Sequence, residues 1–307
     1  MARDAVIDVL GLGIVTVDDL LYVPAYPLPD AKERVRLRLR QCGGLTGTAL
    51  VAAARLGAKA AYAGCLDDGE LSNFIRANFR SEGIDVNHVD PLRQSRPIHS
   101  TIIVDESGGT RTILFELPEN TPFGGDWPAD DVVRSARVLF IDHYDADRTI
   151  RAAKIARADD IPVVADFERD EGPRFDELNS VASHLILSRN FATKITGEID
   201  PIGMVKALWS LDRDTVVVTC GDQGCWFATR AELSPIHRPA FAVEIVDTTG
   251  CGDVFHGAYA ASLARGEPIN RRIAVASAAA AIKATRPGGQ AGIPTLKAVE
   301  AFLKGTS

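Results

Sequence analysis

The sequence predicts an α/β protein in which a mainly parallel sheet is covered by helices and a small extra β-layer is inserted between its units. Three observations carry that reading. Apolar runs of strand length alternate along the chain with segments of helical period, the pattern of a parallel sheet with crossover helices. Two further stretches alternate apolar and polar residues with period two, as half-buried strands do. The 307 residues are 46% hydrophobic and 24% charged, enough apolar material for one sizeable core and unlike a disordered chain.

In chain order, residues 5–11 form the first strand-like run. The apolar stretch 9–17, bracketed by Asp8 and Asp18, reads as a buried strand rather than a signal peptide, because no small-residue cleavage site follows it. Residues 33–40 place Val35, Leu37 and Leu39 on one face and Arg34, Arg36, Arg38 and Arg40 on the other. Such an arginine face either is solvated and guards a sheet edge or, together with Lys32, meets an anionic group on a substrate. A helical pattern over 46–56, a strand over 60–63 and a helix over 71–81 come next. The second period-two stretch, 100–116, turns at Ser107-Gly108-Gly109. Strands at 137–141, 162–166, 184–187 and 215–219 follow, with a helix over 148–158. A strand pair, 225–229 and 240–246, leads into a glycine-rich turn and two Ala-rich helices, near 253–265 and 271–285. No internal repeat or low-complexity linker marks a second domain, so residues 1–307 are expected to form one.

Charge narrows the function. The balance of 34 − 41 = −7 argues against nonspecific attraction to nucleic acid or anionic lipid, which needs a basic excess. No run approaches the ~18 apolar residues of a membrane span, and a cytoplasmic protein with neither membrane nor nucleic-acid partner is expected. Five cysteines, Cys42, Cys65, Cys220, Cys225 and Cys251, lack metal or redox spacing and read as free thiols of a reducing compartment.

The most informative segment is Val246-Asp247-Thr248-Thr249-Gly250-Cys251-Gly252-Asp253-Val254-Phe255-His256-Gly257-Ala258. Two glycines permit a tight turn, and a helix of small residues leaves it. Unpaired amides at Gly250, Cys251 and Gly252, at the positive end of the helix dipole, suit a phosphate oxygen. Asp253 beside a bound phosphate suits a group that accepts a proton from an attacking hydroxyl, although an Asp is also simply favourable in a helix's first turn.

That segment, read as Asp247-Thr248-Thr249-Gly250-Cys251-Gly252-Asp253, resembles the DTxGxGD signature of the ribokinase or PfkB carbohydrate kinase family, and the resemblance runs through nearly the whole chain. Gly43-Gly44 with the helix and Gly57 after it is similar to the first signature region. Thr219-Cys220-Gly221-Asp222-Gln223-Gly224 resembles the nucleotide-side TxGxxG, and the segment from Thr285 to Pro294 resembles the C-terminal loop. The resemblance implies a ribokinase-like three-layer αβα sandwich with a small β-sheet lid drawn from about 16–40 and 96–118, and an ATP-dependent transfer of the γ-phosphoryl group to a hydroxyl of a ketose or related sugar. It implies that Asp253 is the general base and that the amides of Gly250, Cys251, Gly252 and Asp253 form the anion hole. Asp18, Gly43, Gly44, Thr48, Lys32 and Arg111 fall to the sugar, and Thr219, Gly221, Gly224 and Thr249 to the nucleotide. Asp247 and Thr249, with carbonyls of the 284–292 loop, match a monovalent-cation site, so ATP, Mg2+ and K+ are the expected cofactors. The lid would exclude water and form a homodimer contact.

The chain departs from the pattern at Cys251, usually Ala, at Thr48, often Asn, and at the NxxE element tied to metal and phosphate handling, where Ser188-Arg189-Asn190-Phe191 stands. The stretches 247–257 and 285–294 look similar to the sulfofructose kinase and ketohexokinase-like branches. Lys32 falls at the sulfonate lysine of the former, but its other sulfonate contacts are replaced, which favours a sugar without a sulfonate. A nucleoside kinase of the same fold and a silent sugar or nucleotide binder are the alternatives. Gly11-Leu12-Gly13 begins like a dinucleotide fingerprint, yet Thr16 stands at the third glycine and no helix pattern follows, which sets an NAD-dependent oxidoreductase aside. Asp166, Glu168, Asp170 and Glu171 read as a solvated acidic loop, with metal or substrate contact as the alternative, His256 as a residue that packs or supports the site from behind, and Cys251 either as a thiol activated by its helix N-terminus or as a buried, inert one.

Overall fold

A computed structural model describes residues 7–92, 95–117, 125–170 and 172–306. Ala5, Val6, Pro118 and Glu171, which the sequence reading includes, lie outside the described residues. In chain order the elements are β1 (Ile7–Leu12), β2 (Thr16–Val23), β3 (Leu37–Gly43), α1 (Leu45–Arg55), β4 (Ala60–Tyr62), α2 (Glu70–Ser81), β5 (Ile98–Asp105) and β6 (Thr110–Glu116). Then come α3 (Asp130–Arg134), β7 (Ala136–Asp142), α4 (Ala146–Ala158), β8 (Val163–Asp166), α5 (Phe175–Ser180), β9 (His184–Ser188), α6 (Arg189–Thr196) and α7 (Pro201–Leu208). The chain closes with β10 (Thr215–Thr219), β11 (Cys225–Thr229), β12 (Glu232–Arg238), α8 (Cys251–Ala264), α9 (Ile269–Ala284) and α10 (Leu296–Gly305).

The main sheet has eight strands in the order β12-β11-β10-β9-β8-β7-β1-β4. The run from β10 to β4 is parallel, and β11 and β12 are added antiparallel at one edge. Its inner strands are apolar on both faces. Val138 and Phe140 of β7 join Ile186 and Val217 in one core with α1, α2, α8, α9 and α10. Leu139 and Ile141 join Leu185 and Val218 in a second core with helices α3 to α7. Near-continuous Val, Ile and Leu in these strands is the cost of being covered twice, and three αβα layers result. A four-stranded sheet, β3-β2-β5-β6, stands apart from them.

Three local expectations change. The apolar stretch 9–17 is not one strand, because the chain leaves the main sheet after Leu12 and enters the small sheet at Thr16. The strand expected over 33–40 begins at Leu37 and runs to Gly43. Residues 240–246 form no strand; the partner of β11 is Glu232–Arg238, whose Pro235 is tolerable because β12 is the sheet edge.

Register decides what the small sheet shows. Asp18 pairs with Gln41 and Ser100, and Ser100 with Phe115, so these four share one face. The next row, Asp19 and Arg40, lies on the opposite face. There Arg40 and Arg38 bind Asp19 at 2.8 and 3.3 Å, His99 approaches it at 2.8 Å, and Arg36 pairs with Glu106 at 3.1 Å. The Arg40 guanidinium holds the Asp19 carboxyl well below the usual carboxylate range. The arginine stripe is therefore an ion-paired outer face, as the guarded-edge reading expects.

Candidate active site

Two helix N-termini meet at the carboxyl ends of the parallel strands, the edge where open α/β sheets bind ligands. Gly44 caps α1 with φ 88° and Gly250 caps α8 with φ 75°, a left-handed backbone that favours glycine, and neither helix has a side-chain cap. Both caps line a cavity of about 1140 Å³. The helices cross closely because Gly257 has no side chain: a Cβ there would sit 2.0 Å from the Ala49 carbonyl oxygen. Thr48, fully buried one turn into α1, lies beneath Gly250, its Cγ2 3.5 Å from where a Gly250 side chain would begin.

The first turn of α8 faces this cavity through Gly250, Cys251, Gly252 and Asp253. Cys251 N–H closes a turn onto the Thr248 carbonyl at 3.2 Å, while the amides of Gly250, Gly252 and Asp253 meet no backbone acceptor among the described residues. Three of the four amides expected in an anion hole are thus available, and a partly positive helix terminus surrounds them. Burial, together with the negative charges of Asp166, Glu168, Asp142 and Asp18, pushes the Asp253 carboxyl well above its ordinary range. His256 anchors the turn from below, with Nδ1 2.7 Å from the Gly252 carbonyl, Nε2 2.9 Å from the Ile186 carbonyl, and Asp166 at 3.3 Å. The Cys251 thiol packs toward the Ala280 carbonyl at 3.6 Å, and burial pushes it up rather than down, which favours the packed, inert thiol over the activated one.

Asp142, at the end of β7, bolts the cavity together. Its buried carboxylate accepts from Ile14 N–H at 2.7 Å, Thr46 Oγ1 at 2.7 Å and Tyr144 N–H at 2.9 Å, joining the β1–β2 crossing to the start of α1. Burial nevertheless pushes it up to about 6.

The small sheet covers one end of the cavity with Thr16, Ser100, Arg111, Ile113 and Phe115. Asp18 lies on the same sheet face, accepts from Thr16 Oγ1 at 3.0 Å, and is raised by burial. Gly43 is required beside it, since a Cβ would come within 2.3 Å of the Asp18 carboxylate. Thr219, Gly221 and Gly224 line the other end, beneath a wall from Ala240 to Ile245. The segment expected as a strand is this wall. Asp18, Gly43, Thr48, Asp247 and Thr249 are not themselves in the lining but adjoin residues that are, whereas Lys32 is exposed in the loop before β3 and away from that lining.

Asp247 and Thr249 lie at the entry to the turn. Asp247 Oδ1 accepts from Thr249 N–H at 2.8 Å and Oδ2 from Gly288 N–H at 2.8 Å, which ties the turn to the C-terminal loop. Beside them the buried Lys283 of α9 donates from Nζ to the Asp247 main-chain carbonyl at 2.8 Å. Burial pulls its ammonium below the ordinary lysine range.

Glu168 and Asn190 line the cavity too. The acidic cluster is not one solvated loop: Asp166 is buried against His256, Glu168 faces the cavity, and Asp170 pairs with Lys194. Position at a strand's carboxyl end was the signal available for Glu168 and Asn190; nothing in the Ala-rich pattern of α9 marks Lys283. Three residues after Asn190 stands Thr193, so no carboxylate follows it at that spacing.

Residues 9–296 match the pfkB family carbohydrate kinase description, and the chain belongs to that family of carbohydrate kinases. It is 27% identical over 306 residues to a ribokinase of Haemophilus influenzae, covering 95% of this chain and 97% of that one. It is 30% identical over 291 residues to a fructokinase of Klebsiella pneumoniae, covering 87% and 92%. A solved structure of Arabidopsis thaliana ribokinase complexed with ribose and ATP superposes with a TM-score of 0.85 at 20% identity, covering 97% of this chain and 99% of that one, a likeness of fold.

Proposed function

We propose that the protein is an ATP-dependent kinase of a free sugar, a ketose or a related carbohydrate, with Asp253 as the general base. The observation that carries this is the placement of Asp253 on the first turn of α8, beside three available amides, in one cavity with the polar end of the small sheet. The sugar would lie against Asp18, Ser100 and the caps at Gly43 and Gly44. ATP would enter from the Thr219 to Gly224 end, with its base against the 240–245 wall and α9. Attack by the sugar hydroxyl on the γ-phosphorus requires loss of one proton, and a carboxylate raised toward neutrality by its acidic neighbours is suited to take it. The amides of Gly250, Gly252 and Asp253 would stabilise the charge on the transferring group, with Arg111 facing the same turn from the small sheet.

Among the described residues no three His, Cys, Asp or Glu side chains stand close enough to cage a metal. That fits Mg2+ carried by the nucleotide phosphates and water, for which Glu168 is the cavity carboxylate able to add a ligand. Bound there, Mg2+ would neutralise phosphate charge. Ribokinase and fructokinase relatives, and the neighbour holding ribose and ATP, support the substrate class. The small sheet acts in this reading as a lid, and Leu37, Leu39 and Ile113, each at least 40% exposed on one face of it, support a homodimer contact that native mass measurement tests. A coupled ADP-release screen over ketoses, aldoses, sugar acids, sugar phosphates and nucleosides tests the whole reading. Release driven by a free ketose or pentose supports it; release driven only by nucleosides, or none above the ATP-only blank, overturns it.

A further inference from the structure

Lys283 is an anomaly in its helix. Most of the buried positions of α9 are alanine, valine or isoleucine, yet this one is a fully buried lysine. An ammonium taken out of water is costly unless something negative repays it, and among the described residues it forms no ion pair with a carboxylate. Its hydrogen bond goes to the main-chain carbonyl of Asp247, at the entry to the turn that carries the anion hole. Asp247, Asp253 and the Cys251 sulfur are the negative or potentially negative groups around it, with Arg111 the nearby cation.

The same place is where the family resemblance sets a monovalent cation, and the Asp247, Lys283 and Ala284 oxygens there are already engaged. Both Asp247 carboxylate oxygens accept backbone N–H groups, from Thr249 and Gly288. The Asp247 carbonyl takes the lysine, and the Ala284 carbonyl takes two amides, from Val246 at 2.8 Å and Asp247 at 3.1 Å. The Lys283 carbonyl accepts from Arg286 N–H at 3.1 Å. The Asp247 and Ala284 oxygens are thus held by N–H donors, and the lysine ammonium already sits on the Asp247 carbonyl, so a K+ there would have to displace a charge that is built in.

We propose that Lys283 is a tethered cation: its ammonium supplies to the 247–253 turn the positive charge that a bound monovalent ion would otherwise bring, and so makes this kinase independent of K+. A fixed charge behind the turn holds the Asp247 carbonyl and positions the amides that follow it, without touching substrate. Lys283 is in this sense a positioning residue, and its role rests on the kinase reading above.

The test uses the whole protein in chloride salts of K+, Na+ and tetramethylammonium at matched ionic strength, with thermal unfolding and sugar-dependent ADP release as two readouts. The wild type should show the same unfolding temperature in K+ as in tetramethylammonium, and turnover within about twofold across the three salts. Lys283→Met should lose about tenfold or more in turnover, and because it frees the Asp247 carbonyl and the space of the ammonium, K+ but not tetramethylammonium should restore part of it. A K+-specific rise in the wild-type unfolding temperature, several-fold activation of the wild type by K+, or a Lys283→Met enzyme as active as wild type without K+ would each overturn the proposal. Should Lys283→Met not fold, the wild-type salt comparison decides alone. The unfolding readout needs no substrate, so failure of the kinase reading leaves this one still tested.

Discussion

The turn from Asp247 to Asp253 and the small β-sheet border the same cavity, yet they are built in opposite ways. The turn is fixed from every side: Gly257 lets α8 lie against α1, His256 holds the Gly252 carbonyl, Asp247 clasps Gly288, and Lys283 holds the Asp247 carbonyl. The small sheet is exposed along its edge strands β3 and β6, with Leu37, Leu39, Ile113 and Phe115 40–49% accessible on one face and arginines paired to Asp19 on the other. Preorganised dipoles and charges act strongly only when they need not reorganise as the reaction proceeds. A layer that must admit and cover a sugar cannot be packed so tightly. On the proposed function, chemistry falls to the buried region and substrate choice to the exposed one, and substitutions in the two should differ in which kinetic constant they move.

The largest effect is expected in the turn. Asp253→Asn keeps the shape but cannot accept a proton, so turnover should fall by about 10²-fold or more while ATP affinity stays within about twofold; a coupled assay and nucleotide titration measure both. Gly257→Ala places a Cβ against the Ala49 carbonyl and should lower unfolding stability by about 1–3 kcal/mol, read from denaturant midpoints, because backbone cannot step aside as a flexible side chain does. In the small sheet, Asp18→Asn should act chiefly on the sugar: KM rising about tenfold, with the ATP constant unmoved, as for loss of a hydrogen bond to a charged group. Lys32→Met should be smallest. Its exposed position off the cavity implies KM changes within about twofold for charged and neutral sugars alike, and a selective loss for an anionic sugar would show that the loop before β3 closes onto the substrate.

The same contrast explains what could be read from sequence. The strands of the main sheet were legible because burial on both faces leaves continuous Val, Ile and Leu, and Asp253 was singled out by the family resemblance of the glycine-rich turn, since its spacing alone also suits an ordinary acid in a helix's first turn. The run through Val9 and Val17 misled because apolar residues continue while the chain passes from one sheet to another. The edge strand around Pro235 was hidden by its proline and polar composition, and the apolar 240–246 segment took its place although it serves as cavity wall. Glu168 looked like one acid of a solvated group, since the direction of a side chain at a strand end depends on register. Lys283 gave no signal at all, because a lone lysine in an alanine-rich helix ordinarily faces water.

The pH dependence of turnover, in wild type and Asp253→Asn, tests the division of labour most directly. A base whose folded carboxyl is raised by burial and by Asp166, Glu168, Asp142 and Asp18 is protonated and idle at low pH and becomes active as pH rises through that raised value. Wild-type turnover should therefore climb along an acidic limb lying above the ordinary aspartate value of about 3.9, and Asp253→Asn should lose that limb along with most of the rate. A wild-type profile flat down to the ordinary carboxylate range, or the same limb persisting in Asp253→Asn, would contradict the placement of the chemistry in this turn.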